Sequence, residues 1–132
     1  MPDSIVRHVN LLGVLETLWG ALAMLVGVAM LVLAAGAVAA ALDPSGEAMG
    51  VAAGLTAGVF ALLGVFALLW GGAHTWAAML LKRRRPLGRI LSLGLAMVNL
   101  LVLPFGTAFG AYALWVLLTN DGRRLFEPST VK

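Results

Sequence analysis

The sequence contains no cysteine, and only 11% of its 132 residues are charged. The first absence removes disulfides and thiolate metal ligands, so nothing points to an oxidising compartment. The second removes a soluble globular domain from consideration. Soluble domains carry about 25% charged residues, whereas this chain is 61% hydrophobic with a mean hydropathy of +1.00. A soluble chain this short could not bury so much apolar surface, and a lipid bilayer is its natural solvent. Also missing are a long linker, a second domain, a low-complexity tail, a nucleophile–base pair, a glycine-rich phosphate loop and any metal-ligand spacing. The residues therefore predict one transmembrane domain over 1–132, with no enzyme activity, cofactor or metal.

The few charges set the layout. All nine Lys and Arg lie in three patches: Arg7; Lys82, Arg83, Arg84 and Arg85 with Arg89; and Arg123, Arg124 and Lys132. Apolar blocks at 9–42, 50–81 and 90–120 lie between them, and the loop 43–47 (DPSGE) carries two acids and no base. A membrane helix needs about 20 apolar residues. The first two blocks exceed that and must tilt or project past the lipid. The third is broken by LPFGT at 103–107. Proline donates no backbone bond and disfavours helix at the residue before it, and Gly106 permits a tight reversal. The expectation is an all-α, four-helix transmembrane bundle with spans near 9–41, 48–81, 87–103 and 106–120. Its last two spans form a short hairpin turning at Pro104–Gly106. Four spans place every basic residue on one side, so both termini are expected in the cytoplasm of a bacterium and the protein in its cytoplasmic membrane. The rival, one long third helix kinked at Pro104, would leave Arg123, Arg124 and Lys132 outside. The first apolar stretch is far longer than a signal-peptide core of 7–15 residues, so a first span is expected rather than a cleaved leader.

Each span carries one polar side chain at a similar depth, counted from its basic end. Glu16 is about 13–14 Å from Arg7, His74 about 12 Å from Lys82, Asn99 about 15 Å from Arg89 and Tyr112 about 16 Å from Arg123. Gly13, Glu16, Gly20, Ala23 and Gly27 step by three and four residues, as do Gly64, Ala67, Gly71, His74 and Ala78. Small-residue stripes of this kind let membrane helices approach closely. Gly50, Gly54 and Gly58 form a tandem GxxxG, and Gly106 and Gly110 another. These ten glycines are the expected packing positions.

Glu16 and His74, each on a stripe, are the expected partners. They admit two readings. One is a proton or cation site, because both groups can change charge. The other is an interhelical hydrogen bond that fixes register. Asn99 and Tyr112 read as structural polar contacts. His8 and His74 differ in depth by about 10 Å, which speaks against a shared haem or metal. The basic run is topogenic and is expected to attract anionic lipid heads through Lys82, Arg83, Arg84, Arg85 and Arg89. Nucleic acid is not an expected partner, since no basic patch sits on a soluble domain.

The pattern RHVNLLG, KRRRPLGRILSL, NLLVLPFGTAFGAYALWVLL and RRLF resembles a widespread group of small bacterial four-helix membrane proteins. Leu12, Gly13, Glu16, Gly20 and Gly27, with LWGG at 69–72, also resemble the membrane-spanning four-domains tetraspan family. That resemblance implies cytoplasmic termini, oligomers and adaptor roles. Two functions follow as expectations. One is a self-associating, non-enzymatic interaction or scaffold protein. The other is a small ion or proton-coupled channel or transporter using Glu16 and His74.

Overall fold

The computed structural model describes residues 3–42, 50–102 and 104–127. The expected outer loop 43–47, residue 103 of the expected turn and Lys132 lie outside the described residues. Those described are helical, with no strand among them. The helices are α1 (Asp3–Ala41), α2 (Gly50–Lys82), α3 (Pro86–Asn99), α4 (Phe105–Leu118) and α5 (Asn120–Arg124). At 39 residues α1 is about 58 Å long, and at 33 residues α2 is about 50 Å. Both are long and apolar enough to cross a membrane. Only 11% of the most apolar window of either is buried, which is not how the core helix of a soluble protein behaves.

The chain forms two compact units, Met1–Leu18 with His74–Lys132, and Trp19–Ala73. In the Trp19–Ala73 unit, the later part of α1 runs antiparallel to the earlier part of α2 along a seam of small residues. A Cβ on Gly71 would lie 2.5 Å from the Gly20 carbonyl oxygen, and one on Gly27 would lie 2.9 Å from that of Gly64. Ala34 and Ala57, seven residues further along each strip, are buried as well. A seven-residue step of contact positions is the signature of a left-handed helix pair, with glycine letting backbone meet backbone. Gly54 and Gly58, expected among the packing glycines, meet nothing within 4 Å. Both are exposed.

The other unit gathers the first turns of α1, the end of α2 and all of α3, α4 and α5 around one apolar core. Val9, Leu12, Leu81, Ala96, Ala113, Val116 and Leu117 fill it, with Phe126 folded in from beyond α5. Gly13 lies 3.5 Å, measured from its would-be Cβ, from Lys82, and a Cβ on Gly88 would strike the Leu80–Leu81 backbone at 2.7 Å.

Both turns of this unit end their helices by identifiable chemistry. After α2, Arg84 N–H donates to the Leu81 carbonyl and Arg85 N–H to that of Leu80, while Arg84 sits at φ 50°. This is a Schellman cap with arginine where glycine is usual, a conformation costing a side-chain-bearing residue roughly 1–2 kcal/mol. The α3–α4 turn departs from expectation in extent. The two helices were expected over 87–103 and 106–120, but each has 14 residues. Ahead of Pro104 the backbone tightens, with Leu101 N–H on the Val98 carbonyl and Val102 N–H on that of Asn99. The Thr107 hydroxyl then donates to the orphaned Leu100 carbonyl at 2.9 Å. Gly106 serves by close approach rather than by positive φ: a Cβ there would lie 2.6 Å from the Asn99 oxygen, and no described glycine has φ above zero. Gly110 closes the same hairpin against the Ala96 oxygen at 2.5 Å. At the far end of α4 the helix breaks at Thr119, whose side chain donates to the Val116 carbonyl and accepts from Gly122 N–H.

Candidate functional site: a buried carboxylate–imidazole–amide cluster

Glu16, His74, Ser92 and Asn99 are the buried polar residues of the chain, each with no exposure among the described residues. Three of them form one chain of contacts. His74 Nδ1 lies 2.6 Å from Glu16 Oε2, and His74 Nε2 lies 3.2 Å from Asn99 Nδ2. Three helices, α1, α2 and α3, each supply one member. Beside the pair, Gly13 lets α1 and α2 come close, its would-be Cβ 3.8 Å from the Ala78 oxygen, and Asn99 is placed by the last turn of α3. The ring of Phe109, on α4, lies 6.1 Å from that of His74.

The donors and acceptors give this arrangement a direction. An amide nitrogen only donates, so His74 Nε2 accepts from Asn99. The ring proton is then on Nδ1 and donates to the Glu16 carboxylate. Two acceptors, Glu16 Oε1 and Asn99 Oδ1, are buried without a hydrogen-bond partner, as is Ser92 Oγ. A buried group left without a partner costs about 1–3 kcal/mol.

Tyr112 is the expected member that does not join. Its hydroxyl lies 3.0 Å from His8 Nδ1, and Trp115 sits edge-on to His8 at 5.5 Å. The depth count from Arg123 failed because Arg123 is not on α4. The helix ends at Leu118 and Arg123 follows on α5, so 1.5 Å per residue overstates the separation. Leu12 and Val9, fully and almost fully buried, lie along α1 between the His8 and Glu16 levels.

The basic run also divides. Lys82, Arg83 and Arg85 are exposed, whereas Arg89 Nε donates to the Leu117 carbonyl at 3.0 Å. Arg89 therefore caps the C-terminal end of α4, where a cation is favoured, rather than pointing to lipid as expected. Sequence reasoning missed three further positions. Gly88 and Gly122 are close-approach glycines outside any GxxxG pattern, and Phe126 is a core residue in what reads as a polar tail. The described residues hold no group of three or more His, Cys, Asp or Glu able to take a metal. No protein-family model, curated protein or solved structure matches the chain significantly.

Proposed function

We propose that this chain is a small polytopic protein of a bacterial cytoplasmic membrane that crosses the bilayer four times with both termini inside. We assign it a non-enzymatic role as a self-associating interaction or scaffold protein that contacts anionic lipids on its cytoplasmic face. The observation that carries the reading is where the polarity goes. The two long helices turn apolar side chains outward, Leu25 at 67% and Leu62 at 74% exposure, while Glu16, His74 and Asn99 are joined to one another in the interior of their unit. In this reading Glu16, His74 and Asn99 clamp three helices in register. At 14 residues each, α3 and α4 span about 21 Å, short of the roughly 30 Å hydrocarbon core, so local thinning or the turn residues must make up the length.

Topology is testable because the chain has no native cysteine. Single cysteines at Leu101, Arg84 and Arg123 should label with an impermeant reagent from outside only at position 101. External labelling at 123 establishes three spans. Protection at 101 makes α3–α4 a hairpin that enters the membrane and returns.

Self-association is assigned to the open GxxxG of α2. A second helix can approach closely where Gly54 and Gly58 carry no side chain. Gly58→Ile should lower the oligomer mass measured by sedimentation in detergent and leave the thermal unfolding of the protomer unchanged, since a Cβ there meets nothing within 4 Å. Unchanged mass removes this face as the interface.

The second reading, a proton or cation site, is favoured by the unpaired Glu16 Oε1 and Asn99 Oδ1. A continuous polar conduit is not supported. Among the described residues 19–42 and 50–73, Thr56 is the only side chain with a hydroxyl, amide or charge, and it donates to the Ala52 carbonyl of its own helix.

A further inference from the structure

A shallow groove of about 260 Å³ runs between α2 and α3, lined by Trp76, Leu80, Leu87, Ile90 and Leu91. Every lining side chain is apolar. The chain between Leu80 and Leu87 is the basic turn: Lys82 lies against Gly13 of α1, and Arg83, Arg84 and Arg85 follow it immediately before α3 and the groove-lining Leu87. We propose that turn and groove together bind one anionic phospholipid, its phosphate on the cations of the turn and part of one acyl chain along the groove. The inference rests on the membrane reading above and names a single lipid position within it.

Charge complementarity selects the occupant. No acid occurs among residues 74–99, whereas Arg7 has Asp3 nearby in sequence and Arg123 and Arg124 have Asp121 and Glu127. Among the described residues none of the four turn cations makes an ion pair. Arg89, the fifth basic residue of the run, is committed to the Leu117 carbonyl, so the anion-facing charge is confined to the turn itself. Arg84 is the most telling of the four. It holds a left-handed backbone, φ 50°, at the cap position where glycine would relieve the strain, and its Nη1 is buried with no hydrogen-bond partner. A strained residue held at one spot points to a use for its side chain. A guanidinium that lacks a carboxylate is suited to the paired oxygens of a phosphate. The apolar half of the site excludes a simple inorganic anion as the best fit. Leu87 and Ile90 are 65% and 64% exposed and gain most from a hydrocarbon chain laid between them.

Trp76 lines the groove and reports on it directly. A variant keeping Trp76 alone (Trp19→Phe, Trp70→Phe, Trp115→Phe) is placed in phosphatidylcholine vesicles containing a minor fraction of acyl-brominated phosphatidylglycerol, or the same fraction of brominated phosphatidylcholine. The brominated anionic lipid should quench Trp76 with an apparent affinity about tenfold higher. The excess should vanish in Arg84→Gly/Arg83→Gln/Arg85→Gln, in which glycine fits the cap backbone better than arginine does. Equal quenching by both lipids, or an excess that survives the charge changes, overturns the lipid site while leaving the membrane reading intact. No quenching by either lipid overturns both. Native mass spectrometry of the wild-type chain released from mixed lipid gives an answer free of the tryptophan changes: one retained phosphatidylglycerol supports the site, and none or an equal retention of phosphatidylcholine overturns it.

Discussion

Gly71→Ala should destabilise the protein by about 1–3 kcal/mol, the usual cost of forcing a methyl into a filled contact, while Gly72→Ala should be neutral or slightly stabilising. The two positions are neighbours on α2 and differ only in what faces them. A Cβ at 71 would lie 2.5 Å from the Gly20 oxygen, 2.6 Å from Met24 Cγ and 2.9 Å from Met24 N, whereas one at 72 meets nothing within 4 Å. The Met24 side chain can swing aside, but the Gly20 backbone cannot, so the helices must part. Removing a helix-interior glycine otherwise gains roughly 0.5–1 kcal/mol, which sets the sign at position 72. Unfolding by sodium dodecyl sulfate titration in mixed micelles, followed by circular dichroism, measures both. Equal responses at 71 and 72 would mean that α1 and α2 do not meet along this seam. Gly71→Leu, which adds three further carbons to the same contact, should cost more than Gly71→Ala.

That seam was legible because small residues recur on one face in steps of three and four, a pattern with few causes other than close helix approach. The same pattern put Glu16 and His74 on facing stripes, and their contact is in the structure at 2.6 Å. Two kinds of feature were hidden. Tyr112 and Arg89 were misplaced because their positions depend on where helices stop. The stop at Leu118 goes with Thr119 bonding back to the Val116 carbonyl, and hydropathy does not register such local chemistry. Gly88, Gly122 and Phe126 were passed over because each depends on a partner remote from any motif. Phe126 sits in a charged tail and is buried only because the break after α4 turns the chain back onto the core. The GxxxG at 54 and 58 was visible as a motif, but a motif does not say whether its partner is in the same chain.

Breaking the Glu16–His74 pair should be the most costly change in the unit that holds it, and the two partners should not cost the same. Glu16→Leu leaves the His74 Nδ1–H buried without an acceptor, an expected loss of about 1–3 kcal/mol. His74→Leu leaves a carboxylate with no partner in an apolar interior, and isolated charges from broken buried pairs cost about 3–5 kcal/mol. The double variant Glu16→Leu/His74→Leu removes both polar groups and fills their space, so it should be more stable than the sum of the singles predicts, and more stable than His74→Leu alone. A double-mutant cycle on unfolding free energies gives the coupling directly. Additive singles would show that the two groups do not act on each other. Glu16→Gln then separates the two functions. Its amide oxygen still accepts from His74, so the clamp should hold to within about 1 kcal/mol. A glutamine cannot exchange a proton, so any proton or cation flux carried by the cluster in reconstituted vesicles should disappear. Flux present in wild type and absent in Glu16→Gln, at unchanged stability, would move the protein from scaffold to transporter. Flux equal in both, or absent from both, leaves Glu16 joining three helices through His74 and Asn99.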